Sequence, residues 1–285
     1  MGNVNDRLHR ALRVAREQGV AGVAQAVGRR LGLPAMQPVL DEAAIAWDFF
    51  HLEANPGVMI DVGAHHGGSL RPFLRQGWRV LAFEPDPANR ALLLAEFADC
   101  PTLSVDMRAV SDQPRQGVTF FKSDLSTGIS GLSAFDPSHR AEHQVDVTTL
   151  SSVLGATDID HIDFLKIDTE GHDLFVLRGM PWARLQPRLL LCEYENHKTE
   201  PLGYRYEDLA AYIVAQGYTL ITSEWYPIDK YGVQHAWRQF AEGSPPPIID
   251  PKGWGNILAV RDAADMPALR AACARAAKRE HARTR

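Results

Sequence analysis

"VMIDVGAHHGGS", residues 58–69, begins as an unbroken apolar run, stops at Asp61 and opens into a glycine-rich turn. A short apolar run bounded by turn residues reads as a strand buried on both faces, as in a parallel sheet. Its glycines fall where the chain leaves the strand's carboxyl end for a helix, the place where open α/β sheets bind ligands. Gly63 is expected to allow a tight turn, and Gly67 to let a ligand approach backbone N–H groups without meeting a Cβ. About twenty residues on, "RVLAFEPDPAN" (79–89) gives a second strand ending at Glu84, where a carboxylate can accept both hydroxyls of a ribose. The two stretches together indicate a nucleoside ligand, with Asp61, Gly63, His65, Gly67, Glu84 and Asn89 as candidate cofactor-binding residues.

The glycine spacing narrows the nucleoside. A dinucleotide site reads GxGxxG and brings a helix N-terminus against a pyrophosphate, whereas here the pattern is Asp61-x-Gly63-x-x-x-Gly67 with His65 and His66 inside it. No close diphosphate cradle is expected. The pattern, with its downstream acidic residue, resembles the first two motifs of S-adenosylmethionine-dependent methyltransferases, whose cofactor has a ribose but no phosphate.

Working outward, apolar or β-rich runs alternate with helical spacing. "VMIDV", "RVLAF", "LSVDM", "IDFLKI", "RLLLCEY", "TLITSEW" and "NILAVR" read as strands. "SLRPFLRQG", "PANRALLLAEFA", "HDLFVLRGM" and "YEDLAAYIVAQG" read as helices between them. The alternation predicts an α/β protein with a mostly parallel seven-stranded sheet covered by helices on both faces. From Gly117 to Leu150 the alternation breaks. "GVTFF" and "HQVDVTTL" there suggest a small β insertion around a Gly/Ser-rich loop.

"IDFLKIDTEGHDLFVLRGM" (162–180), together with "DVGAHHG", "FEPDPAN" and "LLLCEYE", closely resembles the FkbM-type methyltransferase family over about Val58 to Glu195. The K-I-D-x-E-G-x-[ED] block is the distinctive part. The chain departs from the family at Asp173, commonly Glu, and at "GISGLS", where paired serines are frequent. The resemblance implies a Rossmann-like methyltransferase sheet in which a late antiparallel strand, here "NILAVR", inserts beside the others. It also implies S-adenosylmethionine as cofactor and methyl transfer, mostly to oxygen, on sugars, lipid-linked glycans or secondary metabolites.

The third stretch makes chemical sense without the family. Asp168 and Glu170 emerge at the carboxyl end of a buried strand, on the side of the sheet that carries Gly63 and Glu84. A hydroxyl acceptor must lose its proton during or after attack on a methyl group, and a carboxylate or imidazole within reach can take it. Asp168, Glu170 and His172 are therefore candidate catalytic residues, with Asp168 also facing the cofactor. Glu193, at the end of the next strand, is a fourth, with His197 an alternative base. The plain alternatives are that Asp168 caps the following helix, that Glu170 stabilises its N-terminus, and that Lys166 forms a structural ion pair. The carboxylates are also a donor set for Mg2+, but no metal is assigned.

Composition excludes other classes. A net charge of -5 over 285 residues argues against a polyanion binder, and the [ND]-P-P-[YF] block that holds a flipped base is absent. The acceptor is therefore expected to be a small molecule or glycan and not nucleic acid. Cys100, Cys192 and Cys273 are few and scattered, which fits a reducing cytoplasm. No stretch approaches the roughly 18 apolar residues of a transmembrane segment. An NAD-dependent sugar oxidoreductase would need GxGxxG and a Tyr/Lys or His/Asp pair in register; a non-catalytic nucleoside binder would not keep "KIDTEGHD".

The ends read as additions to a methyltransferase domain at 51–265. Residues 1–50 form an N-terminal helical extension whose Leu8, Leu12, Ala15, Val23, Val27 and Leu31 make an apolar stripe. That stripe is expected to pack on the body or on a second subunit of a homodimer. Residues 266–285 read as a basic helical tail with no role beyond solubility.

Overall fold

The structure, a computed structural model, describes residues 40–53, 55–231 and 235–283. Asp41 accepts hydrogen bonds from the Ala43 and Ala44 amides and so starts α1 (Glu42–Phe50). Next comes β1 (Val58–Val62), buried along its whole length. Val58, Ile60 and Val62 join one apolar cluster and Met59 the other, as a period of two requires. Two further strand-helix units follow: α2 (Arg71–Arg75), β2 (Arg79–Phe83), α3 (Pro87–Glu96) and β3 (Leu103–Asp106). Asp86 caps α3 by accepting from the Ala88 and Asn89 amides, with proline at the first helical position where no N–H is needed.

A second sheet then interrupts the alternation. Its strands β4 (Ala109–Val110), β5 (Arg115–Ser123) and β6 (His139–Thr148) lie in the order β4-β6-β5, and β5 and β6 are antiparallel. The loop between β5 and β6 carries a short 3-10 turn, Thr127–Ile129. The main sheet resumes through α4 (Leu150–Gly155), β7 (Phe164–Ile167), α5 (Asp173–Arg178), β8 (Leu189–Glu195), α6 (Asn196–Thr199) and α7 (Tyr206–Ala215). It finishes with β9 (Thr219–Trp225), β10 (Trp237–Gly243), β11 (Trp254–Val260) and α8 (Met266–Arg283).

The strand order is β10-β9-β11-β8-β7-β1-β2-β3. Neighbours from β3 through β8 pair in parallel, and β11 inserts antiparallel between β8 and β9. The inserted strand expected at "NILAVR" is thus in place. The expected count of seven needs correction, because β10 adds an eighth strand, antiparallel to β9 at the edge. Its sequence, "WRQFAEG", is only half-buried and has a register shift near Trp237, so it shows neither a continuous apolar run nor a clean alternation.

The C-terminal end needs a second correction. Met266, Leu269, Ala272, Cys273 and Ala276 recur at helical spacing along α8, are buried, and share a cluster with Ile45 and Phe49 of α1. The basic tail is therefore a packed helix, held also by Arg275 Nε to Asp48 at 2.8 Å. The apolar stripe from Leu8 to Leu31 lies outside the described residues. Among the described residues no helix is long and apolar enough to cross a membrane.

Glu42 fastens α1 to the sheet, accepting from Ser223 Oγ at 2.6 Å and from Trp225 Nε1 at 2.7 Å. Burial pushes its carboxyl up to about 7 against the lowering effect of those two donors. A raised acid binds its proton more tightly when folded, so this contribution is present below the unfolded value and is lost as pH rises through about 7. Glu42→Gln should consequently gain melting temperature relative to wild type between pH 5 and pH 8. A difference independent of pH would show that Glu42 is ionised throughout.

Candidate active site

A cavity of about 330 Å³ opens at the carboxyl ends of β1, β2, β7 and β8. Gly63, His65, Glu84 and Asn89 line it on one side, and Asp168, Glu170, His172 and Glu193 on the other. The β5–β6 loop closes over it from Thr127 to Leu132, and Trp254 at the start of β11 forms its far end.

The first side has the chemistry of a ribose site. Glu84, 4% exposed, accepts the His65 amide at 2.7 Å on one oxygen and the Asp86 amide at 2.8 Å on the other. The two bonds fix the carboxylate plane while each oxygen keeps a lone pair for a hydroxyl. Burial pushes this carboxyl up to about 7, with both amides opposing the shift. Gly63 has φ +85°, and a Cβ there would sit 1.9 Å from the Asp168 carbonyl oxygen, so glycine is what lets β1 and β7 exit side by side. His65, at φ 50°, stacks on His66 with ring centroids 3.6 Å apart and bonds Thr127 Oγ1 through Nε2 at 2.9 Å. His66 Nε2 lies 3.0 Å from Asn89 Oδ1. Burial, with His66 beside it, pulls His65 down to about 4, so its ring is neutral near pH 7.

Two candidates stand behind the cavity. Gly67 is not among the cavity-lining residues: its φ is +77° and a Cβ would meet Phe97 of the segment after α3 at 2.6 Å, so close packing is a constraint on it. Asp61, fully buried, accepts from Ser69 Oγ at 2.5 Å and pairs with Lys166 Nζ at 3.2 Å. Lys166 also reaches Asp168 at 3.3 Å. Burial lowers the Lys166 value, but Asp61 and Asp168 outweigh it and the ammonium ends raised.

The acidic side is organised by a residue absent from the sequence reading. Lys198 of α6, almost fully buried, places Nζ 2.6 Å from Glu170, 3.0 Å from Glu193 and 2.9 Å from Glu195. Burial works against its charge, and the three carboxylates outweigh burial to hold its value well above the ordinary one. Glu170 has a left-handed backbone, φ 56°, uncommon for a residue with a Cβ and frequent at functional sites. Burial pushes Glu170 up to about 7 although Lys198 opposes it, and pushes Glu193 well up. Oxygens of Asp168, Glu170 and Glu193 lie within 4.8 Å of one another, and the cation seated against two of them is the Lys198 ammonium.

Helix capping does not explain these residues. The N-cap of α5 is His172, which makes no side-chain cap bond, and Asp168 is bonded to Lys166. His172 is buried, with Nδ1 lacking a partner among the described residues, and burial pulls it down to about 4. His197, the alternative base, is exposed and outside the cavity lining, while the adjacent Lys198 points in. The signal for Lys198 lay in "EYENHKTE": a Lys three residues after a buried Glu shares a helix face with it.

A parallel sheet with one inserted antiparallel strand, and a buried carboxylate after its second strand lining a cavity at the strands' carboxyl ends, is the arrangement of a Rossmann-like methyltransferase. The chain belongs to the FkbM methyltransferase domain family, whose model matches residues 61–220, more than half of the chain. It is an S-adenosylmethionine-dependent methyltransferase, and Glu84 and the glycine turn fit that cofactor's ribose. No curated protein matches the chain in sequence. Among solved structures it is similar to the O-methyltransferase TomG from Streptomyces achromogenes, involved in tomaymycin synthesis and solved with S-adenosylmethionine. Identity is 11%, 91% of this chain and 99% of that one are covered, and the TM-score is 0.41. It is also similar to precorrin-6Y C5,15-methyltransferase from Geobacter metallireducens, at 12% identity, 76% and 87% coverage and TM-score 0.39. The 23S rRNA methyltransferase ErmE matches at 12% identity, 79% and 70% coverage and TM-score 0.36.

Proposed function

We propose that the protein transfers the methyl group of S-adenosylmethionine to a hydroxyl of a sugar, glycan, glycolipid or secondary metabolite. The observation that carries this reading is that Asp168, Glu170 and Glu193 line the same cavity as Glu84. An alcohol is far too weak an acid to ionise unaided near neutral pH, so it needs a proton acceptor within hydrogen-bond reach during attack. The cofactor supplies an electrophilic methyl group; the chain supplies the carboxylates, the cavity and the β5–β6 loop over it. Glu84 would anchor the ribose, and Gly63, His65 and Asn89 would line the cofactor, with His66 bracing Asn89 from behind. Asp168 or Glu170 would receive the acceptor's proton, with Glu193 behind Glu170 and His172 as a neutral contact. Much of the remaining barrier is lowered by holding oxygen and methyl in attack geometry.

Charge supports a small or glycan acceptor over nucleic acid. A net charge of -5 and a cavity wall of carboxylates repel a phosphate backbone. The cytoplasm is the proposed location, because Cys100, Cys192 and Cys273 are all free thiols, as a reducing compartment leaves them. Methyl-labelled cofactor incubated with a panel of sugars, oligosaccharides, glycolipids and polyhydroxylated metabolites tests the acceptor class. Label found only in RNA or DNA would overturn it.

Cofactor binding has its own test. Glu84→Ala should weaken S-adenosylmethionine binding by about 1–3 kcal/mol in calorimetry, through loss of charge-assisted hydrogen bonds to the ribose. Unchanged affinity in a folded variant would move the ribose away from Glu84.

A further inference from the structure

The acidic side of the cavity is out of electrostatic balance. Asp61 and Asp168 pair with Lys166, and Glu170, Glu193 and Glu195 with Lys198. The two groups meet where oxygens of Asp168, Glu170 and Glu193 lie within 4.8 Å of one another, so five carboxyl groups share two ammoniums. Burial raises Glu170 and Glu193 toward holding protons in place of the missing cations. Four of the five are buried, and Asp168, Glu170 and Glu193 face the cavity. Buried charge without a counter-charge is costly, so the group favours any ligand that brings a positive charge to that wall. A second observation points to a ligand in the same cavity. His172, about nine-tenths buried, lines the same cavity with Nδ1 unpartnered among the described residues.

We propose that Asp168, Glu170 and Glu193, backed by Lys198, form a charge-sensing wall that favours the cationic sulfonium of S-adenosylmethionine over the neutral thioether of S-adenosylhomocysteine. This rests on the methyl-transfer reading of the site and adds a consequence for turnover. In the transfer the bond from methyl carbon to sulfur breaks with its electron pair left on sulfur. A lone pair of the acceptor oxygen makes the new C–O bond, and a wall carboxylate takes the hydroxyl proton. The positive charge thus leaves sulfur and reappears as a proton on the wall, so the cavity with its contents keeps its net charge through the step. Once that proton passes to solvent the wall is again uncompensated, which favours exchange of the neutral thioether for the next sulfonium. Lys198 sets the scale: it cancels part of the excess and holds Glu170 and Glu193 in position, so the wall discriminates charge without collapsing.

The test needs no acceptor. S-adenosylmethionine and S-adenosylhomocysteine are titrated by calorimetry, at about pH 8, into the full chain of wild type, Asp168→Asn, Glu170→Gln and Lys198→Arg. Each carboxamide variant should weaken the sulfonium about tenfold while changing the thioether by less than about twofold. Lys198→Arg, which keeps the charge, should preserve the wild-type ratio. A structural role would weaken both ligands together and leave the ratio unmoved, and that result overturns the wall. Asp168→Asn keeps the test open if Glu170→Gln does not fold, because Asp168 is partly exposed at 40% of its side chain. Absence of binding by either ligand to wild type would instead defeat the cofactor reading.

Discussion

Lys198→Met should destabilise the protein by about 3–5 kcal/mol near neutral pH, the range for removing one partner of a buried ion pair. The lysine and methionine side chains have similar length and bulk, so cavity formation is a minor part of the loss. What remains is three carboxylates, Glu170, Glu193 and Glu195, gathered around a point that no longer carries charge. They can answer only by taking up protons or by opening to water. The deficit should therefore shrink toward pH 5, where protonation relieves them, and denaturant titrations at pH 5 and 8 read both effects. Lys198→Arg should retain most of the stability, limited by the fit of a larger head group among the three carboxylates. Wild-type stability for Lys198→Met at both pH values would mean that the cluster is already protonated and the ammonium unneeded.

The sheet was legible in the sequence because most of its strands read as apolar or β-rich runs, and seven such runs marked seven strands. The eighth, β10, was not legible, since an edge strand with Arg238, Gln239 and Glu242 exposes enough surface to hide its pattern. The helix α8 was hidden by composition: alanine-rich stripes carry little hydrophobic contrast, yet small side chains let it pack closely on α1. In the site, Glu84 could be picked out because it ends a strand that the local pattern marks, whereas the Asp168 carbonyl that makes glycine obligatory at Gly63 comes from a distant segment. The packing of Gly67 against Phe97 was not legible, because Phe97 is thirty residues away and no local rule pairs them. Lys198 was missed for a related reason. A lysine is ordinarily exposed, and only the fold shows that α6 turns it back under three carboxylates contributed by two separate segments.

Asp168→Asn and Glu170→Gln should each lower turnover at saturating cofactor by roughly 10²- to 10⁴-fold where they remove the group that receives the proton. Both changes keep shape and remove charge. Asp168 is the more exposed and makes no helix-cap bond, so Asp168→Asn should cost little stability beyond its link to Lys166. Glu170→Gln keeps an oxygen for Lys198 but loses the ion pair, so its melting temperature is read alongside turnover. The pH profile separates the two residues. Burial holds the Glu170 carboxyl at about 7, so a proton acceptor there is active above that value and fades as pH falls below it. If Glu170 receives the proton, Glu170→Gln removes this acid limb and Asp168→Asn retains it at reduced height. If Asp168 receives it, the reverse holds for the size of the loss, and the limb near pH 7 survives only as the effect of a neighbouring charge. Wild-type turnover in both folded variants would pass the role to Glu193, the remaining carboxylate that faces the cavity beside Lys198.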